Sequence, residues 1–186
     1  MKGSQKRKEV MPNVVIKKKF EFIRDRRYIF NVLVKTGLFI LCMYLTFSYV
    51  FGVTVMQNSD MMPRISAGDL LLYYRLQEDY ASPNIVVFEL DGEEYIGRII
   101  AKSGESIEIT DSHIIKLNGN SIIEDDIFYT TYKYDDYVEY PLELGKDEYF
   151  IMCDSREGAK DSRYFGVVTG DKIKGCVVSV LRRNNL

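Results

Sequence analysis

From residue 36 to residue 59 the chain carries no charged side chain, and inside that stretch runs Leu38-Phe39-Ile40-Leu41-Cys42-Met43-Tyr44-Leu45. A helix needs about 20 residues to cross the hydrocarbon core of a bilayer. Residues 28–52 meet that length, with Lys35 near enough to one boundary to snorkel, so the sequence predicts a single transmembrane helix over 28–52. The bulky Phe47, Tyr49 and Phe51 leave no small-x-small cleavage site, so the span is expected to stay attached. Lys17, Lys18, Lys19, Arg24, Arg26 and Arg27 precede it, and the positive-inside bias then puts a basic tail, residues 1–27, in the cytoplasm and residues 53–186 outside the cell membrane.

Charge is split along the chain. Residues 1–35 hold eleven Lys/Arg against three Asp/Glu, and residues 36–186 hold fourteen against twenty-four. The basic end reads as a topology signal, not as a nucleic-acid footprint. Within the outer part, residues 105–150 alone hold twelve acids against three bases, and five tyrosines, Tyr129, Tyr132, Tyr134, Tyr137 and Tyr140, fall between residues 129 and 140. Two readings of this acidic, Tyr-rich extension stay open: tyrosines packing over a small secondary core, or a docking face.

The lone histidine, His113, excludes a multi-histidine metal site, and neither a metal nor a small-molecule cofactor is expected. Cys42, Cys153 and Cys176 have no CxxC spacing, and the last two sit in apolar runs that read as buried thiols, with one Cys153 to Cys176 disulfide the alternative. Short runs rich in β-branched and aromatic residues at 53–55, 70–74, 84–88, 95–100, 106–109, 114–117, 149–152 and 176–181 read as strands. Asp91-Gly92 and Asn118-Gly119 are hairpin signals. The predicted fold is mainly β: a transmembrane helix, then an antiparallel β domain with an acidic, β-rich extension, its one helical turn placed near Glu157.

Three motifs follow the apolar stretch in order. Asp60-Met61-Met62-Pro63-Arg64 with Gly68-Asp69 resembles the Ser-Met-x-Pro-Thr…Gly-Asp box of type I signal peptidases. The run Gly97-Arg98-Ile99-Ile100-Ala101-Lys102-Ser103-Gly104-Glu105 resembles their Lys-Arg-Val-Ile-Gly-x-Pro-Gly-Asp box. Cys153-Asp154-Ser155-Arg156 through Asp161-Ser162-Arg163 and Gly166 is similar to their Gly-Asp-Asn-Arg-x-x-Ser-x-Asp-Ser-Arg-x-x-Gly box without a gap. The resemblance covers about residues 28–186.

It implies a serine nucleophile, a lysine base whose pKa burial lowers, and a second serine orienting the lysine. Those places hold Asp60, Gly97 and Ala159. Neighbours offer little rescue: Ser59 faces away from the site if the segment is extended, and Lys102 lies five residues past Gly97. An Asp60/Asp161 pair is disfavoured because Asp161 is expected to pair with Arg98 or Arg163. Gly68, Asp69, Arg98, Gly104, Asp154, Arg156, Asp161 and Arg163 keep the family's turns and ion pairs. The resemblance further implies a groove that binds substrate as an added strand, here lined by Val53, Val55, Asn58, Met61, Met62, Pro63, Ile85 and Val87. The Met61-Met62 pair also reads as apolar filling or membrane contact.

The altered boxes resemble the catalytically degenerate signal-peptidase-like accessory proteins of Gram-positive pilus clusters. That resemblance implies a non-catalytic chaperone or docking factor at the membrane, with pilin subunits or the pilus sortase as partners. The alternative is an active, atypical type I signal peptidase.

Overall fold

In a computed structural model of the chain, residues 12–124, 127–134 and 137–183 are described, with the backbone alone for 12–24. Two compact units result, Met1–Thr46 and Phe47–Leu186. Helix α1 spans Pro12–Leu45, and one π-helical turn follows at Thr46–Val50. The Thr46 hydroxyl donates to the Cys42 carbonyl at 2.9 Å, a back-bond of the kind that loosens the regular helical ladder.

Within this helical run Asp25–Val50, 26 residues of mean hydropathy 1.8, is long and apolar enough to cross a membrane, and none of its apolar face is buried against protein. The boundaries differ from the sequence expectation at both ends. The predicted tail is helical from Pro12, and Gly52 lies in the first strand. Residues 1–11 lie outside the described residues.

Strands β1 (Phe51–Val55), β2 (Leu70–Tyr74), β3 (Ile85–Leu90), β4 (Glu93–Lys102), β5 (Ser106–Ile109), β6 (Ile115–Leu117), β7 (Asn120–Ser121), β8 (Leu142–Glu143), β9 (Glu148–Met152), β10 (Val168–Thr169) and β11 (Ile173–Leu181) form two antiparallel sheets. The larger runs β1-β2-β11-β3-β4-β9-β10, the smaller β7-β6-β5-β8. Asp91-Gly92 turns β3 into β4 with both residues at positive φ (51° and 81°), and Asn118-Gly119 does the same for β6 and β7 (50° and 80°). Only short polar residues and glycine adopt that pair of angles easily, which is why these dipeptides fix the hairpins.

Along β4 the alternation of a strand sends Ile96 to a core cluster with Met56, Met61, Ile65, Val87, Cys153 and Ala159, and Ile99 to a second cluster with Val86, Phe88 and Ile151. A third cluster lies under the small sheet. The extension is β-structured at its two ends, but 122–141 contains no strand among the described residues, so "β-rich" holds for only part of it. The helical turn falls at α2, Ser162–Phe165, a few residues beyond Glu157, where the Asp161 side chain accepts the Arg163 N–H as its cap.

Both open readings of the tyrosines find members. Tyr140 packs on Phe150 and Tyr134 lies against the Arg163 guanidinium, whereas Tyr129, Tyr132 and Tyr137 are exposed. Several acids are internal ties as well: Glu108 pairs with Lys116, Asp111 with Lys133, and Glu124 with the buried Arg156. Asp125, Asp126, Asp135 and Asp136 lie outside the described residues.

Two buried ion pairs brace the motifs, one joining the second box to the third and one within the third. Arg98 on β4 grips Asp154 with Nε and Nη2 at 2.8 and 2.6 Å. Arg163 grips Asp161 at 2.9 and 2.8 Å. The expected partner of Arg98 is thereby settled as Asp154, and Asp161 takes Arg163. Removing one member of such a pair strands a buried charge, at about 3–5 kcal/mol. Asp154→Ala should therefore lower stability by about that amount in urea unfolding of the full chain, whereas Asp79→Asn, at an exposed pair, should leave the midpoint unchanged.

Candidate functional site

Residues 56–69 form a loop closed at its base, where the Met56 N–H donates to the Asp69 carbonyl (2.9 Å) and the Gly68 N–H to the Met56 carbonyl (2.7 Å). Gly68 sits at φ 90°, a conformation that disfavours a side chain. The Asp69 carboxylate accepts the Ser66 and Arg183 amides, which hold it below its usual carboxyl range. Met61 and Ile65 plunge into the core and pin the loop. Asp60, at the turn between, faces a cleft of about 460 Å³.

That segment is a tight turn, not the extended strand expected: Met62 N–H donates to the Ser59 carbonyl and Ile65 N–H to that of Met61. Ser59 is exposed because of the turn, not because of strand alternation. Lys102 sits at the far end of β4, five residues from Gly97, and pairs with Asp79 at 3.5 Å.

The cleft runs between residues 55–58, which continue β1, and residues 92–96 at the start of β4; Asp60 and Cys153 close its inner end. Three groove expectations change. Met61 and Val87 are fully buried and support the site from inside. The facing wall is the beginning of β4, not Ile85 and Val87 of β3, because the sheet curls until Thr54 on β1 donates to Glu94 on β4. Val53, Met62 and Pro63 are exposed but lie outside the cleft, leaving Val55 and Asn58 as its expected lining.

The three altered positions do not all meet. Ala159 is buried in the cluster that contains Cys153 and Ile96, directly behind the cleft. The Tyr134 hydroxyl donates to its carbonyl at 3.1 Å, so the extension covers this side. Gly97 is different: a Cβ there would lie 2.5 Å from Ile151 Cγ2 and 3.3 Å from the Met152 carbonyl, against members of the second core cluster.

Two residues not expected in the groove complete the picture, one of them the Cys153 that the sequence reads as a buried thiol. Cys153 is buried with its thiol against the Ile96 carbonyl at 3.7 Å, where the family box opens on glycine. That Gly-to-Cys change was the available signal. Burial, then Asp161 and Asp60, pushes the thiol well above its ordinary value, so it stays protonated and a poor nucleophile. Glu94 is the other, bridging Thr54 and Lys174. Cys176 is likewise a buried free thiol.

Asp60 has its carboxyl pushed up, first by burial, then by Asp161, against a hydrogen bond from Asn58 Nδ2 at 2.7 Å. Among the described residues lining the cleft, none is a serine, threonine, lysine or histidine, and no group of three or more potential ligands could hold a metal.

The model of the family described as signal peptidase, peptidase S26, matches residues 29–181. The chain belongs to the signal peptidase family. It is 30% identical over 145 residues to signal peptidase I of Bacillus caldolyticus, covering 69% of this chain and 78% of that one. With signal peptidase I P of Bacillus subtilis subsp. natto it shares 26% over 145 residues, covering 69% and 75%. A crystal structure of a signal peptidase I from Enterococcus faecalis V583 aligns with TM-score 0.45 and 24% identity, covering 54% of this chain and 97% of that one. The matched span holds all three boxes. The signal peptidase scaffold is thus present with Asp60, Gly97 and Ala159 at the positions its motifs assign to the reacting groups.

Two predictions test this packing. Gly97→Ala should destabilise by about 1–3 kcal/mol through overpacking, and Gly97→Ala with Ile151→Ala should be more stable than the two separate losses add up to. Asp60→Asn should raise the unfolding midpoint at pH 7. A carboxyl raised in the native state binds its proton more tightly there than in the unfolded chain, so its charge opposes folding above the raised value. The advantage of the variant should shrink as pH falls through that value toward the ordinary 3.8.

Proposed function

We propose that this chain is a non-catalytic member of the signal peptidase family, anchored by its N-terminal helix with the basic end cytoplasmic, and serving as a docking factor or chaperone in sortase-dependent pilus assembly. The observation that carries the non-catalytic part is the cleft lining itself. Peptide hydrolysis by this scaffold needs a hydroxyl nucleophile and an amine base within hydrogen-bond reach. Asp60 stands beside a protonated, buried thiol instead, and the side-chain direction at residue 97 is occupied by Ile151. The pilus role and its partners, pilin subunits or the pilus sortase, rest on the resemblance of the altered boxes to pilus-cluster accessory proteins. The cytoplasmic N-terminus rests on the basic residues before the span.

Full-length protein in detergent should release no product from a fluorogenic signal-peptide substrate. The triple variant Asp60→Ser, Gly97→Lys, Ala159→Ser should also stay inactive, because the new lysine is directed into Ile151 and Cys153 fills the space beside residue 60. Turnover by the wild type that is lost on Ser59→Ala or Asp60→Ala would overturn the proposal in favour of an atypical signal peptidase. A photo-crosslinker at Asn58 in cells should capture pilin or sortase; capture of assorted secretory precursors alone would remove the pilus role.

A further inference from the structure

The cleft holds a charge imbalance that the family's chemistry does not explain. Its polar lining includes Gln57, Asn58, Asp60, Glu93 and Glu94, and no lysine or arginine lines it. Glu94 is compensated by Lys174 at 3.2 Å, and Asp161 behind the floor by Arg163 at 2.8 Å. Asp60 and Glu93 have no cationic partner within ion-pair distance among the described residues. Among the described residues the Glu93 carboxylate accepts only the Tyr95 hydroxyl, and the Asp60 carboxylate only the Asn58 side-chain amide. Asp60 is also half-buried, so its charge has lost hydration without gaining a counter-charge.

An apolar side chain entering here would desolvate Asp60 further and return nothing. A cation would gain a charge-assisted hydrogen bond in a partly water-excluded site, the setting in which such bonds are strongest. Next to this pocket, β1 is an edge strand. It pairs with β2 on one side and with nothing on the other among the described residues, and it exposes Val53 and Val55 while Thr54 is held inward by Glu94. Such an edge accepts an extended chain through its backbone and leaves selection to the adjacent pocket.

We infer that the cleft selects an extended polypeptide segment carrying a lysine or arginine, whose cationic end is received by Asp60 and Glu93 while its backbone adds to the open edge of β1. This rests on the docking reading above and deepens it: the scaffold's ligand preference is turned from small apolar side chains to a positive one.

The test uses the full chain in nanodiscs of zwitterionic lipid, so that the bilayer itself does not attract the probe. The probe is an acetylated, fluorescein-labelled hexapeptide of valine and threonine with one central lysine, compared with the same peptide carrying norleucine. The lysine peptide should bind about tenfold or more tightly than its norleucine counterpart, a difference that shrinks with added salt. Backbone amides of Val53 and Val55 should gain hydrogen-exchange protection when it binds. The preference should fall to about twofold or less in Asp60→Asn with Glu93→Gln, while Asp79→Asn, at an exposed acid outside the cleft, should keep it. Equal binding of the two peptides, a preference that survives the double substitution, or no binding of the lysine peptide up to about 1 mM would overturn the inference. The docking reading fails separately: it is lost if the same preparation cleaves a signal-peptide substrate, and it stands without the cation preference if the norleucine peptide binds more tightly.

Discussion

Four buried charged side chains around the third motif hold the β domain together. Arg98 and Asp154 tie β4 to the segment after β9, and Asp161 and Arg163 brace the short turn of helix that follows. Asp161 does three things at once: it accepts the Cys153 amide at 3.0 Å, caps α2, and neutralises Arg163. Burial alone would weaken the Arg163 charge, and Asp161 outweighs it, so the guanidinium is held more firmly protonated. Arg163 in turn holds the Tyr132 carbonyl at 3.1 Å, and Arg156 holds Glu124 and Thr131. The extension is thereby fastened to the motif that, in the family pattern, supplies the orienting serine.

This arrangement sets which positions of the scaffold are costly to change. A serine or lysine in an active site contributes to turnover, and its replacement by a smaller or apolar residue removes a polar group from a half-dry place at no loss of stability. A buried arginine or aspartate has no such exit, because losing either partner leaves the other charged and unsolvated. Gly97 and Ala159 leave no charge stranded in the fold. A chain lacking Asp154 or Arg163 does. Retention of Gly68, Asp69, Arg98, Asp154, Arg156, Asp161 and Arg163 thus follows from the energetics of folding, whatever the domain now binds.

What was legible in the sequence is what depends on neighbours along the chain. The strands, the Asp91-Gly92 and Asn118-Gly119 hairpins and the apolar span each follow from local pattern, and the motif positions follow from spacing within each box. The cleft walls depend on sheet curl, which brings β1 to β4 across three intervening strands, so the wall that the resemblance placed on β3 is supplied by β4 and Val87 lies in the core. Met61 and Met62 illustrate the same limit. They are adjacent and chemically identical, yet the turn at residues 59–65 buries the first completely and leaves the second exposed. The sequence left Asp161 to either Arg98 or Arg163, and the register of β4 against β9, with Arg98 opposite Met152, sets Arg98 against Asp154 and leaves Asp161 to Arg163.

The residues around positions 60 and 97 pack as one interdependent set. Without a side chain at residue 97, β9 can carry a full isoleucine across that point, and Ile151 does so, completely buried. Cys153 fills volume at the cleft beside Asp60 and contributes to the core cluster with Ala159 and Ile96. Asp60 keeps one face to the cleft and takes an amide hydrogen from Asn58. Changing any one of these residues meets the others: a larger side chain at 97 meets Ile151, and a group placed at 60 meets the Cys153 thiol. The Asp60 carboxylate is the member of the set that faces the cleft, where a ligand can meet it.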